Sequence, residues 1–193
     1  MELNDYHIIL ASNSPRRREL LSGLDLDFEV RVLPSVSERH PDGMRAEEIP
    51  VFVSKEKAEP YKDSIRQGDL LVTADTMVIL DGEALGKPKD DDDAKRMLHA
   101  LSGKTHKVVT GVTLTAVGKS ETFGVSTDVS FKCLSDDEID YYVRRYHPLD
   151  KAGAYGIQEW IGYVGVTSIH GSYFNVMGLP VQRIWDELNK FVK

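Results

Sequence analysis

Four polar clusters interrupt otherwise apolar or helical segments, and each suits a definite chemistry. Ser12-Asn13-Ser14-Pro15-Arg16-Arg17 joins a short apolar run to a helical pattern. A helix start presents unpaired N–H groups and a partial positive charge, which suits an anion. Two arginines there add forked donors that match phosphate oxygens. The same residues also read as an ordinary helix start with surface arginines. Ala74-Asp75-Thr76 lies inside the apolar stretch Leu70 to Leu80. A carboxylate in such a strand is costly unless paired, hydrogen-bonded or bound to a metal. Asp75 is therefore the candidate functional carboxylate, with Thr76 as a neighbouring hydroxyl; the alternative is a strand of alternating exposure with Asp75 on its wet face. Lys57 and Lys87 are single cations that, taken alone, read as solvated surface lysines. The segment Asp150 to Gln158 combines small residues, which let a backbone approach a ligand, with polar Asp150, Lys151 and Gln158. A buried loop that satisfies its own backbone would have the same composition.

The elements that must position these residues alternate between strand and helix, which points to an α/β architecture. His7 to Ala11 reads as a short buried strand. It leads into a helix over 16–21, with Ser14 as N-cap, Pro15 in the first turn and Gly23 as the stop. Phe28 to Leu33 reads as a second strand. A helix from about Ala46 to Tyr61 follows, and Pro50 fits it only in the first turn. Leu70 to Leu80 is the strongest strand, and Asp81-Gly82 is a hairpin turn because both residues tolerate positive φ. Asp90 to Asp93 open a helix with Ala94, Met97, Leu98 and Leu101 on one face. That acidic run reads as a response to the helix dipole rather than as a metal cluster. Val108 to Val117 and Glu121 to Leu134 read as an antiparallel pair turning at Gly118-Lys119. Ser135 and Glu138 form a capping box before Ile139, Tyr142, Val143 and Tyr146. A last helix, about Pro180 to Val192, turns Val181, Ile184, Trp185 and Leu188 inward. The stretch Asp150 to Gly178 is Gly-punctuated and lacks simple periodicity.

Composition sets the outer bounds. The chain has 193 residues, 31 acidic and 24 basic side chains and a formal charge of −7, with 41% hydrophobic and 28% charged residues. This is the profile of an ordinary globular protein. The acidic balance argues against coating nucleic acid, which needs a basic face. No apolar run reaches the ~18 residues that cross a bilayer, and Met1 to Asp5 has neither the basic start nor the apolar stretch of a secretory leader. One cysteine, Cys133, excludes an intrachain disulfide and fits the reducing cytoplasm; it reads as a small core residue in a strand. The six histidines show no paired metal spacing. Neither a Walker-type loop, a Gly-x-Gly-x-x-Gly turn nor a Gly-x-Ser-x-Gly elbow occurs. Trp185 reads as core, and Trp160 is open between core and site.

Taken in order, these residues resemble the Maf family of nucleoside triphosphate pyrophosphatases nearly end to end. The carriers are Ala11 to Arg17, Glu56-Lys57-Ala58, Ala74-Asp75-Thr76, Gly86-Lys87-Pro88, Leu101 to His106, Asp150 to Gln158, Gly171-Ser172-Tyr173 and Gly178-Leu179-Pro180. The resemblance implies one domain over residues 1–193. Its fold would be an elongated, two-lobed, ITPase-like α/β structure, a mixed sheet flanked by helices with the active cleft between the lobes. It implies hydrolysis of a nucleoside triphosphate to the monophosphate and pyrophosphate with a divalent cation, Mg²⁺ or Mn²⁺. By resemblance Asp75 is the proton acceptor, and Arg16, Thr76 and Gln158 govern substrate choice. Ala154 to Gln158 is similar to the branch that prefers dTTP and UTP, whereas the 7-methyl-GTP branch differs there. Where many relatives carry an acidic pair after the second strand this chain reads Ser37-Glu38, leaving Glu38 with Asp75 as expected metal ligands. Pro50 and Met77 also depart from the pattern.

The expected mechanism is attack of water on the α-phosphorus. Asp75 would orient and deprotonate the water, while Arg16, Arg17, Lys57 and Lys87 neutralise the phosphates. Ser12 and the helix amides would hold a phosphate oxygen, Asp150 and Lys151 would add polar contacts, and Thr76 and Gln158 would read the base. A non-enzymatic nucleotide-binding regulator of cell division is the rival, since its cations would look the same. Neither nucleic acid nor membrane is expected as a partner; a homodimer agrees with the resemblance, although no segment marks an interface.

Overall fold

The computed structural model describes residues 6–34 and 38–191; Met1 to Asp5, Ser37 and Val192 of the readings above lie outside the described residues. One seven-stranded sheet runs in the order β2-β1-β3-β5-β6-β7, with β4 paired to β3. Packing divides the chain into two compact units, each made of non-contiguous segments.

The first unit comprises Met1–Asp75, Thr110–Val125 and Gly178–Lys193. Its centre is β1 (His7–Leu10), parallel to both β2 (Phe28–Val30) and the start of β3 (Asp69–Leu80). Ile8, Ile9 and Leu10 are all buried, as expected of a parallel strand covered on both faces. Strand β2 is shorter than the Phe28 to Leu33 run suggests. After Val30 the backbone turns to a side chain: Leu33 N–H donates to the Tyr61 hydroxyl at 2.9 Å. α1 (Pro15–Ser22) starts at N-cap Ser14 and stops at Gly23, as its sequence predicts. α2 (Ile49–Ala58) begins later than Ala46, which puts Pro50 in the first turn; the expected end at Tyr61 is a separate 3-10 turn, Glu59–Tyr61. Ile9, Ala58, Tyr61, Ile65 and Leu71 form one apolar cluster beneath it. α7 (Val181–Phe191) buries Val181, Ile184 and Leu188 as expected. Trp185 is only half-buried, whereas Glu187 is buried, its Oε1 held by Arg183 and Lys190 at 2.6 and 3.0 Å.

The second unit comprises Thr76–Val109 and Ser126–Met177. From Asp81 (φ 52°) and Gly82 (φ 85°) the chain turns into β4 (Glu83–Leu85), antiparallel to β3. α3 (Asp91–Leu101) buries Ala94, Met97, Leu98 and Leu101 behind N-cap Asp90. α4 (Asp136–Tyr146) carries the full Ser135/Glu138 capping box. β5 (Thr105–Ala116) and β6 (Lys119–Phe131) are neighbours joined by Val117-Gly118, a link short enough only for a hairpin. β6 ends before Cys133, which is exposed rather than core. The aperiodic stretch contains a 3-10 turn (Ala152–Ala154), α5 (Trp160–Gly165), β7 (Val166–His170) and α6 (Tyr173–Met177). β7 pairs antiparallel with β6. No helix among the described residues is long and apolar enough to cross a membrane.

Candidate active site

In the first unit the strand-borne carboxylate meets the lysine of α2. Residues 75–77 are the only half-buried run within the buried part of β3. Asp75 Oδ1 accepts from Lys57 Nζ at 2.8 Å, and Glu38 Oε1 lies 2.8 Å from the same nitrogen. The side chains of Lys57 and Asp75 are 15% and 14% exposed, so the ion pair is shielded enough to be directional. Lys57 is thus no loose surface lysine.

The register of this pair is set by buried hydroxyls. Ser54 stands one helical turn before Lys57, and Thr73 two residues before Asp75 on the same strand face. Thr73 Oγ1 donates to Ser54 O at 2.7 Å, and Ser54 Oγ lies 3.0 Å from Thr113 Oγ1. All three residues are fully buried. A satisfied network of this kind fixes one arrangement of helix on sheet. The approach itself depends on Gly111 in β5, where a Cβ would sit 2.2 Å from Pro50 O.

The arginine-rich helix start serves the same region. Arg17 is half-buried; its Nε donates to Gly178 O at 2.8 Å and its Nη1 to Ala74 O at 2.9 Å. It therefore braces the residue before Asp75 and ties in the start of the C-terminal segment. Burial lowers the guanidinium pKa, against the opposing pull of the Asp75 carboxylate. Ser12 is buried, and its Oγ accepts from Ser14 N at 3.2 Å, which leaves its own O–H to donate. Arg16 is half-buried on the first turn of α1.

The remaining expected residues belong to the second unit. Thr76 follows Asp75 on β3 and is half-buried, and Lys87 is exposed. The segment 150–158 packs on β3 at Val78, which a Cβ on Gly153 would meet at 2.8 Å. Gly153 N–H donates to Gly86 O at 3.0 Å, which joins that segment to Gly86-Lys87. Lys151 is buried and shared between Asp150 Oδ1 at 2.7 Å and Glu159 Oε1 at 3.1 Å. Gln158 is half-buried with its Oε1 enclosed and without a hydrogen-bond partner. Sequence reasoning missed Glu159, Tyr142 and His106, which carry the segment from below. The unusual Tyr and Glu flanking a Gly-rich run were the available signal.

Among the described residues no group of three or more His, Cys, Asp or Glu side chains could hold a metal ion. Glu38 and Asp75 nevertheless aim carboxylate oxygens at one positive charge. Hard divalent cations accept such oxygen donors together with phosphate and water, so the donor pair fits an ion of that class.

Fold and site define an α/β protein with a shielded, carboxylate-bearing cationic centre. A family model described as Maf-like protein matches residues 7–191, and the chain belongs to that family. A Phocaeicola vulgatus protein named dTTP/UTP pyrophosphatase is 59% identical over 188 residues, 97% of each chain. A Bacteroides thetaiotaomicron protein of the same name is 55% identical over 188 residues, again 97% of each. Among solved structures, a nucleoside-triphosphatase / dITP/XTP pyrophosphatase from Mycobacterium abscessus aligns with TM-score 0.45 and 14% identity, covering 96% of this chain and 97% of that one.

Proposed function

We propose that the protein hydrolyses dTTP and UTP to the monophosphate and pyrophosphate, by attack of water on the α-phosphorus. The observation that carries this reading is Asp75, a carboxylate set in a strand interior and held by Lys57 at 2.8 Å. An anion binder has no use for a shielded carboxylate beside its cations, whereas a hydrolase needs one to orient water and take its proton. Lys57 holds that carboxylate in place. Arg16, the Ser12 hydroxyl and the α1 N-terminus bind phosphate oxygens, while Arg17 holds the backbone of Ala74 beside Asp75. Lys87 adds a further cation for phosphate. Glu38 and Asp75 would hold a divalent ion, Mg²⁺ or Mn²⁺, which when bound supplies charge neutralisation to the phosphates.

The choice of base rests on Thr76 and Gln158. A buried amide oxygen without a partner is costly, by about 1–3 kcal/mol, and a ligand N–H removes that cost. Thymine and uracil present an N–H beside carbonyl oxygens, the complement of an amide with one acceptor and two donors. The names of the close relatives support the same substrates.

The test is pyrophosphate release from a panel of nucleoside triphosphates with Mg²⁺ or Mn²⁺. Asp75→Asn is expected to lower kcat by about 10²–10⁴-fold, the usual worth of a positioned base, with nucleotide binding retained. Near-normal turnover by Asp75→Asn would refute the assignment, and tight binding without hydrolysis by the unaltered protein would favour a nucleotide-binding regulator.

A further inference from the structure

The segment from Asp150 to Gln158 follows a path that it would not keep unaided. Gly153 and Ala154 are both left-handed, at φ 66° and 59°. For alanine that conformation brings Cβ too close to the carbonyl oxygen, so contacts elsewhere must enforce it. Directly beneath, Gly156 N–H donates to the Tyr142 hydroxyl at 3.0 Å. The Tyr142 hydroxyl in turn donates to Glu159 Oε2. The other oxygen of Glu159 lies 3.1 Å from Lys151 Nζ, which also binds Asp150 Oδ1. Glu159 thus closes a ring of polar contacts from one end of the segment to the other.

Three details show that this carboxylate has been diverted to the ring. Glu159 is the N-cap residue of α5, yet its side chain makes no capping hydrogen bond. Gly156 leaves space that these side chains occupy, since a Cβ there would lie 2.9 Å from Glu159 Cδ and 3.1 Å from Lys151 Cε. Burial and the Glu159 carboxylate raise the Tyr142 pKa, so its hydroxyl keeps the proton that it donates. Lys151, buried with two carboxylates on its Nζ, belongs to this ring and is already paired before any phosphate arrives.

We propose that Glu159 is a positioning residue for base selection: through Tyr142 and Lys151 it fixes the 150–158 backbone and so the place of the Gln158 amide. This rests on the reading of Gln158 as the base contact. A free loop would let that amide rotate and would select pyrimidines poorly, because a hydrogen-bonding site discriminates only when its donors and acceptors are held in place.

The experiment compares the unaltered protein with Glu159→Ala, Glu159→Gln and Tyr142→Phe in steady-state pyrophosphate release from dTTP, UTP and dGTP, alongside thermal melts. Loss of the clamp is expected to raise KM for dTTP and UTP about 10-fold, the worth of one net hydrogen bond, and to narrow the dTTP:dGTP ratio of kcat/KM. The kcat for dTTP should change far less. Glu159→Gln keeps an acceptor for Tyr142 and should recover part of the selectivity. Should Glu159→Ala not fold, Tyr142→Phe removes one oxygen from the same ring and is expected to shift KM in the same direction. A lower melting temperature with unchanged KM and unchanged base selectivity would reduce the ring to a brace and overturn the proposal. An unaltered protein that releases pyrophosphate from none of the three would instead overturn the proposed function, and the positioning role with it.

Discussion

Gly111→Ala isolates the contact that brings α2 down onto the sheet. The new methyl carbon would lie 2.2 Å from Pro50 O, 2.4 Å from Pro50 C and 2.5 Å from Val51 Cα. All three are backbone atoms, so no rotamer change relieves the clash and the helix must lift. Overpacking of this kind costs about 1–3 kcal/mol, and a backbone collision belongs at the upper end. The lower entropy of the unfolded alanine chain returns about 0.4–1 kcal/mol. A net loss of about 2 kcal/mol would lower Tm by about 4–8 °C in a chain of this size. Gly124→Ala is the milder comparison, because its Cβ would meet a single side-chain methyl, Val51 Cγ2 at 2.8 Å, rather than backbone. It should melt within a degree or two of the unaltered protein. Calorimetry gives the melting points and pyrophosphate release gives kcat. Only Gly111→Ala should lose turnover as well, since the lifted helix carries Lys57 away from Asp75. A Gly111→Ala protein as stable and active as its parent, or a Gly124→Ala protein that is worse, would refute this account.

Two further outcomes are expected. Thr73→Val removes a buried hydroxyl at nearly constant volume, so stability should fall by about 1 kcal/mol; kcat should drop several-fold with KM little changed, because the link between α2 and the Asp75 strand is gone, and an unchanged kcat would count against the network as a register device. His106 is buried with Nε2 2.7 Å from the Tyr155 hydroxyl, and burial pulls its pKa down to about 4, opposed by Asp128. Its folded pKa lies below the unfolded value, so the unfolded chain takes up the proton first; stability is intact above about pH 6.5 and declines toward pH 4, by about 3 kcal/mol in total. His106→Gln keeps a hydrogen-bonding side chain but does not titrate, and urea denaturation between pH 4 and 7 should show a correspondingly flatter decline; parallel curves would refute the assignment.

What the sequence made legible was local chemistry. Ser14-Pro15 at the start of α1, Asp81-Gly82 and the Ser135/Glu138 box each act within four residues, and each stands where its motif put it. Asp75 was legible because an ionisable group in an apolar strand breaks a strong pattern. The failures are tertiary. β7 is a mostly exposed strand of mixed polarity that takes its order from β6, so it has no alternation of its own. α5 is six residues long with glycines at 162 and 165, too short to show a period. Cys133 lies just past the end of β6, where the chain has turned outward. Glu187 and Lys151 are charged yet buried because partners distant in sequence or on an adjacent turn complete them. No composition rule anticipates such partners.

The way the chain threads its two units bears on how it is made. The first unit opens the sequence, yet it needs Thr110–Val125 and Gly178–Lys193; the second is complete at Met177. On the ribosome, at about 5–20 residues per second, the later unit therefore has all its parts before the earlier one. The unit that holds Asp75 waits for α7, whose Ile184 and Leu188 fill its core, and for Gly178, whose carbonyl receives Arg17. A nascent chain halted before Gly178 and α7 have emerged would lack the brace beside its carboxylate, so the Asp75 region takes shape only after the second unit has all its parts.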